Sequence, residues 1–147
     1  MSKRGRKYKA KPFESAGCYL PSGRKDSSAN IYETMLMSDA WHDLTDKQKA
    51  LYVVCKSQYY GHRKPRQDYS EDYLQADECF YLQWHSVNQQ GEQYRMYSDG
   101  NSKRFYRDMQ ALEAHGFIKK LLSGRSHKIK SVYKFDSKWI EWRPDEK

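Results

Sequence analysis

The chain has no long apolar run and is poor in aliphatic residues. Hydrophobic residues make up 37% of its 147 residues and charged residues 31%, so any hydrophobic core must be small and belong to about one domain. No stretch approaches the roughly 18 consecutive apolar residues of a membrane span. The N-terminus is charged, but no apolar segment follows it, so we expect no signal peptide, no membrane association and a soluble, cytoplasmic protein.

Cysteine is also scarce. Cys18, Cys55 and Cys79 are odd in number and widely spaced, with no C-x-x-C and no histidine pair at ligand spacing. The pattern therefore predicts neither a disulfide framework nor a metal site, and it indicates a reducing compartment. Cys55 falls on the apolar face of a predicted helix, where we interpret it as a small core residue.

The sequence motifs of common enzymes are missing. There is no H-E-x-x-H, no phosphate-binding loop and no G-x-S-x-G. The five histidines are scattered, and His115 is most simply a residue near a helix C-terminus, where the dipole favours it. A DNA-cleaving tyrosine among the thirteen tyrosines would need a histidine cluster that binds the metal of a relaxase, or the H-x-x-R and distal tyrosine of a tyrosine recombinase. The chain has neither pattern, so we interpret the tyrosines as core and stacking residues. We expect a protein without catalytic residues, metal or other cofactor.

Positive charge is present in excess and is segregated. The formal net charge is +8, and residues 1–25 hold eight basic residues against one acidic residue. Residues 103–130 hold eight basic against two acidic residues, which leaves a net charge of −5 for the rest of the chain. This segregation favours a polyanionic partner over a merely solvated surface. Membrane phospholipid is a weaker candidate, because no basic helix with a wide apolar face accompanies the charge.

The first 28 residues are rich in Lys, Arg, Gly, Ser and Pro, which predicts a flexible basic arm. The arm could be a solubilising terminus, or an auxiliary clamp that follows phosphates or enters a minor groove. Residues 29–142 would then form the folded domain and residues 143–147 a C-terminal tail. The basic residues of the arm are Lys3, Arg4, Arg6, Lys7, Lys9 and Lys11.

The first half of the folded part predicts short elements followed by one longer helix. Ile31–Met37 is short and apolar and suggests a strand or extended segment, and Ser38–Trp41 suggests a capped helical turn. Thr45 and Gln48 fit a capping box at the start of a helix that Gly61 would end. The apolar face of that helix would be formed by Leu51, Val54, Cys55 and Tyr59.

The middle of the chain is harder to interpret. His62–Asp77 is polar and suggests a long loop. Phe80–Trp84 is aromatic and could be a strand or the entry to a short helix over His85–Gln90. A further helix is weakly marked over Val87–Gln93. Aromatic residues are 15% of the chain, and a few of them can hold a compact core together.

The clearest prediction is a helix over Ser102–His115. Phe105, Met109 and Leu112 recur at helical spacing on one face, and Gly116 supplies a left-handed stop. The outward side chains would be Asn101, Ser102, Lys103, Arg104, Arg107 and Gln110. An ordinary solvated amphipathic helix has the same pattern, but a helix that enters a major groove presents its N-terminal residues to base edges.

A basic hairpin follows that helix. Phe117–Ile118 begins one strand, Val132–Phe135 forms the other, and the loop over residues 123–130 separates them. The loop contributes Arg125, His127, Lys128 and Lys130. A basic loop alone is usually only solvated. The basic helix and the basic hairpin together predict a winged helix-turn-helix, which is a mainly α fold with a small β-hairpin wing. The wing would contact the DNA backbone. About six phosphate contacts would give a salt dependence of log affinity with a slope near −5.

Two tryptophans follow the hairpin. We predict that Trp139 closes the core from the C-terminal end, because it follows Tyr133 and Phe135 in an inward pattern. Trp142 could pack there as well or lie at a partner surface.

Four segments together resemble small winged-helix proteins carried by plasmids and integrative conjugative elements of Gram-positive bacteria. They are LTDKQKALYVVCKSQYYG (44–61), FYLQW (80–84), KRFYRDMQALEAHGFI (103–118) and VYKFDSKW (132–139). The resemblance covers roughly residues 30 to 140 and includes the turn from helix into wing. It implies a recognition helix at Ser102–His115, a wing at Phe117–Phe135, and DNA binding without catalysis in replication, transfer or transcriptional regulation of a mobile element.

Three hypotheses follow. The first is a sequence-preferring protein that binds double-stranded DNA, as a homodimer or with other DNA-processing proteins of a mobile element. The second is a protein-interaction module that uses Trp142, Tyr59 and Tyr60 as its surface and is insensitive to salt. The third is RNA binding, for which the chain lacks a GXXG loop or an RNP-like aromatic pair.

Overall fold

A computed structural model describes residues 29–58, 79–88, 93–98, 102–122 and 131–144, and the structural statements below concern these residues. Five helices, three strands and a C-terminal 3₁₀ helix are formed there. In chain order they are α1 (Glu33–Leu36), α2 (Asp39–Asp43), α3 (Asp46–Ser57), β1 (Cys79–Tyr81), α4 (Trp84–Val87), α5 (Ser102–Ala114), β2 (Ile118–Leu122), β3 (Val132–Phe135) and the 3₁₀ helix (Lys138–Ile140).

The apolar segment at the start of the domain is helical, so the expectation of a strand over Ile31–Met37 is wrong. Met35 is buried, whereas Leu36 and Met37 are exposed. A strand would alternate buried and exposed residues, but this segment buries one residue in its single helical turn. Ser38 caps the next helix as predicted, because its hydroxyl oxygen accepts a hydrogen bond from the Trp41 N–H across 3.2 Å.

The capping box of α3 is confirmed. The Thr45 hydroxyl accepts from the Gln48 N–H, and the Gln48 side-chain oxygen accepts from the Thr45 N–H across 3.0 Å. The helix ends at Ser57, before Gly61, which lies outside the described residues. Gln58 is the C-cap of α3. Its side-chain amide donates hydrogen bonds to the Val54 carbonyl and to the Tyr94 hydroxyl, so the end of the helix is bound to residues 93–98.

The aromatic run Phe80–Trp84 contributes to both elements that its pattern allowed. It supplies most of β1 and then the first residue of α4. The helix weakly predicted over Val87–Gln93 lies earlier, because the Val87 carbonyl accepts hydrogen bonds from the Met96 and Tyr97 N–H groups instead of continuing a helix. Residues 93–98 are thereby held against the end of α4.

Gly116 connects α5 to β2 as predicted. Its φ of +85° lies in the left-handed region that glycine adopts without strain. A Cβ atom there would also lie 2.5 Å from the Trp139 nitrogen, because the 3₁₀ helix packs directly on this turn. The Trp139 N–H donates to the Gly116 carbonyl across 3.1 Å.

The three strands form one antiparallel sheet in the order β1-β3-β2. Phe80 pairs with Tyr133, and Ile118 pairs with Phe135. The rings of Phe80 and Phe135 stack with centroids 4.4 Å apart on the face that meets the helices. The result is a mainly helical fold with a small sheet, which is compatible with the predicted helix and hairpin; β1 is a third strand that the hairpin alone did not require.

Aromatic side chains form the centre of the core, as the composition suggested. Tyr52 on α3 contacts Phe117 with ring centroids 5.1 Å apart, and Trp41 meets both rings edge-on. Cys55 is fully buried, and Trp139 lies parallel to Phe117 at 6.1 Å, so both core predictions are confirmed. Within the described ranges, none of the helices has the length and apolar character needed to cross a bilayer.

Candidate nucleic-acid interface

Helix α5 separates its apolar and basic residues onto opposite sides. Phe105, Met109 and Leu112 are buried against the core. This arrangement anchors the helix and directs its remaining side chains outward. The predicted outward residues that the structure describes are exposed, apart from the half-buried Ser102: Lys103, Arg104, Arg107 and Gln110.

The basic residues lie in the first two turns of α5. Lys103 and Arg104 occupy the first turn, which contains no acidic residue. The N-terminus of a helix carries the positive end of its dipole, so two cations there cost helix stability and strengthen the local positive potential. A phosphate or another anion would relieve that repulsion.

Asp108 is an acidic residue on α5, and its carboxylate accepts two hydrogen bonds. The Tyr97 hydroxyl donates to Oδ2 across 2.7 Å, and the Gln48 side-chain amide donates to Oδ1 across 3.3 Å. Both partners belong to other segments, so Asp108 ties α5 to α3 and to residues 93–98. Its negative charge is thereby held on the flank of the helix.

Arg104 lies on the same flank. Burial raises the pKa of Tyr97 well above its ordinary value, the hydrogen bond and the charge of Asp108 raise it further, and the cation of Arg104 opposes them. Lys47 adds a second cation, with its ammonium 5.1 Å from the centre of the Tyr97 ring and donating to the Met96 carbonyl. Two cations, Lys47 and Arg104, therefore lie near Tyr97, the hydrogen-bond partner of Asp108.

Tyr106 is a candidate contact residue that the sequence prediction missed. It is 43% exposed, and its ring rests on Phe105 with centroids 5.0 Å apart. Tyr106 is three residues after Lys103 and four before Gln110, so the three side chains neighbour one another on the helix surface. The spacing of Tyr106 to Lys103 and Gln110 is present in the sequence, but the tyrosines were interpreted only together, as core and stacking residues.

His115 fixes the other end of α5. Its Nδ1 lies 2.6 Å from the Ala111 carbonyl, its Nε2 lies 2.7 Å from an Asp43 carboxylate oxygen, and its ring stacks on Trp142 at 4.6 Å. The position at the helix C-terminus is confirmed, but the tie to α2 was not foreseen. Of the two positions that the sequence allowed for Trp142, the structure shows packing on the core, with the ring half-buried on His115. Tyr59 and Tyr60, the other residues of the protein-interaction hypothesis, lie outside the described residues.

The strands of the hairpin add lysines beside α5. Lys119 is exposed and pairs in register with Lys134. The Lys120 N–H donates to the Glu113 carboxylate across 3.0 Å, and its ammonium lies 5.9 Å from the centre of the Tyr133 ring. The start of β2 is therefore bound to the last turn of α5.

Several predicted contact residues lie outside the described parts of the chain. These are Asn101, the wing residues Arg125, His127, Lys128 and Lys130, and the arm residues Lys3, Arg4, Arg6, Lys7, Lys9 and Lys11. Their contribution to an interface stays a prediction.

The described surface thus contains a basic helix terminus, an exposed ring and the start of a lysine-bearing hairpin. In the same ranges, no group of three or more His, Cys, Asp or Glu side chains is close enough to hold a metal ion. Comparisons with protein-family models, with curated proteins and with solved structures gave no match to this chain.

Proposed function

We propose that the chain is a non-catalytic protein that binds double-stranded DNA with a preference for sequence, through α5 and the hairpin after it. The observation that carries the proposal is the exposure of Lys103, Arg104 and Arg107 on the first two turns of a helix whose opposite side is buried. Groove-binding helices present this end to the bases. Arginine can fork onto guanine, and Gln110 onto adenine.

The winged helix-turn-helix is our proposal for the fold class. The order of α3, β1, α4, α5, β2 and β3, with β3 central in the sheet, supports it. The loop between β2 and β3 would be the wing, and Lys119 and Lys120 lie on the strand that leads into it. The wing would contact phosphates and add affinity more than specificity.

The resemblance to proteins of plasmids and conjugative elements extends the proposal to a role in replication, transfer or transcription of a mobile element. We place the protein in the cytoplasm, where it would meet such DNA.

Binding to a duplex selected from random sequence tests the proposal. We expect Arg107→Ala to weaken binding about 10- to 100-fold and to relax the preference at one base position, as for the loss of a bidentate contact. Lys103→Ala should weaken binding to all duplexes alike and lower the salt slope by about 0.9, because it removes one phosphate contact. Lys138→Ala is the matched control, an exposed lysine beyond the other end of α5.

The salt dependence separates the alternatives. We expect affinity to fall steeply between about 50 and 200 mM salt, with a slope near −5 for about six phosphate contacts. Unchanged affinity and preference in Arg107→Ala and Arg104→Ala would refute the assignment of α5. A protein partner whose affinity does not change with salt concentration would instead favour the protein-interaction hypothesis. A preference for single-stranded RNA over duplex DNA would favour the RNA-binding hypothesis.

A further inference from the structure

A groove on the side of α1, α2 and the 3₁₀ helix has no place in the proposed DNA contact. It is open, has a volume of about 370 Å³ and is lined by both apolar and charged side chains. We call it the α1–α2 groove; its main lining residues are Met37, Asp39, Trp139, Ile140 and Arg143.

Large apolar side chains are concentrated around the α1–α2 groove. Met37 and Ile140 are 68% and 56% exposed, although both line it. Tyr32 and Leu36 at α1 are exposed as well, but they do not line the groove. Single exposed apolar residues are ordinary, whereas two exposed apolar side chains that line one groove favour an interaction surface.

The segment that forms α1 and α2 is acidic. Residues 29–46 contain four carboxylates and neither Lys nor Arg, in a chain of net charge +8. The 3₁₀ helix packs on Gly116, beyond the C-terminus of α5, whereas Lys103 and Arg107 lie in the first two turns. A 13-residue helix is about 20 Å long, so an occupant of the groove would leave the basic end of α5 open.

Two opposite charges make the groove complementary to itself. Asp39 and Arg143 lie side by side, with Oδ2 and Nε 3.5 Å apart, and both side chains are more than half exposed. In a two-fold symmetric interface each residue meets its complement on the other chain, so Asp39 of either copy can face Arg143 of the other. The apolar side chains of Met37 and Ile140 would fill the facing groove.

We propose that the α1–α2 groove is a dimer interface occupied by the same groove of a second copy of this chain. Two copies with a charge of +8 each repel one another, and the carboxylates of residues 29–46 lower that repulsion at this surface. Seven residues line the groove, fewer than the roughly 20–30 per side of a standard interface, so the dimer is weak, with a dissociation constant of about micromolar order. The proposal goes beyond DNA binding and does not depend on it.

Sedimentation equilibrium of the full chain without DNA, from about 1 to 200 µM, tests the interface. We expect a concentration-dependent dimer in the unsubstituted protein. Asp39→Arg alone and Arg143→Asp alone should each weaken it about tenfold or more, because like charges then face one another at both symmetric positions. An equimolar mixture of the two variants should restore the dimer, because each symmetric position then has one acid and one base.

The mixture distinguishes an interface from a structural role. Loss of the ion pair within each chain would weaken both variants, but mixing them could not repair it. Met37→Ser should weaken the dimer, and Val53→Ser, an exposed apolar residue on α3, should not. Circular dichroism checks that the variants are folded.

A protein that stays monomeric over the whole range, a mixture that does not restore the dimer, or equal effects of Met37→Ser and Val53→Ser would each overturn the proposal. The Arg107→Ala test of DNA binding uses a different variant and a different measurement. The DNA-binding proposal and the dimer proposal can therefore be refuted independently of one another.

Discussion

The Tyr97 hydroxyl donates a hydrogen bond to the Asp108 carboxylate across 2.7 Å and so joins the segment before α5 to the second turn of that helix. Gln48, at the first turn of α3, contacts the other carboxylate oxygen. One acidic side chain therefore sets the position of α5 against two other parts of the domain. Arg104 and Arg107 lie on the turns of α5 that this contact helps to hold.

We expect Tyr97→Phe to lower the free energy of unfolding by about 1.5 kcal/mol, because a hydrogen bond to a charged group is lost. Tyr106→Phe, an exposed tyrosine on α5, is the control and should cost little. Urea unfolding measures both. The loss should disappear in an Asp108→Ala background, and a fully additive double variant would show that the two side chains are not coupled.

Alkaline pH should unfold the protein through its buried tyrosines. Burial raises the pKa of Tyr52, Tyr97 and Tyr133 above the ordinary value near 10. Because the folded chain holds these protons more tightly than the unfolded chain, the stability is intact below pH 10 and is lost as the pH rises above it. Each tyrosine would remove up to about 1.4 kcal/mol per pH unit.

Absorbance at the tyrosinate band and circular dichroism, followed from neutral pH upwards, check this expectation. Ionisation of the buried tyrosines should coincide with loss of helix. If all tyrosines ionise near pH 10 while the helical signal persists, the burial of these three rings is contradicted.

Substitution of Gly116 should be costly for two separate reasons. Gly116→Ala forces a side chain into a left-handed conformation and brings its Cβ against the backbone of Lys138 and Trp139. We expect a loss of about 3 kcal/mol, from roughly 1–2 for the conformation and the rest for the overlap. Thermal and urea unfolding measure it, with Ala114→Gly, two residues earlier, as a control that should cost about 1 kcal/mol or less. Equal losses in the two variants would contradict the close packing at this turn.

Alanine substitutions of the adjacent residues Phe105 and Tyr106 should have opposite effects, the first on stability and the second on DNA binding. Phe105 is fully buried, with its ring centroid 5.9 Å from that of Tyr97 and 6.2 Å from that of Trp84. Phe105→Ala should therefore cost about 3–5 kcal/mol of stability. Tyr106→Ala should leave stability within about 1 kcal/mol and weaken DNA binding several-fold, because an exposed contact residue is removed.

Unfolding curves and a binding titration on the same two variants make this comparison. Tyr106→Ala with unchanged DNA affinity would remove Tyr106 from the interface and leave the role of the arginines unaffected. A Phe105→Ala variant as stable as the parent would contradict the core assignment.

Local signals were enough to predict the elements whose boundaries are set within a few residues. The capping box at Thr45 and the stripe of Phe105, Met109 and Leu112 depend on neighbours three or four positions away, so they could be identified without coordinates. The segment Ile31–Met37 could not, because a short apolar run fits a strand or a helical turn equally well. Trp142 was ambiguous for a related reason, since its partner His115 is distant in the chain.

The sequence by itself determined that α5 exists, where it begins and stops, and that positive charge lies at its N-terminal half. Helical periodicity and the glycine at its end are local signals, because each depends on residues only a few positions apart. Only the tertiary structure decided that Asp108 is occupied by Tyr97 and Gln48, that His115 reaches Asp43, and that β1 pairs with β3. These contacts join residues far apart in the chain, and their formation depends on how the whole core packs, which no short window of sequence contains.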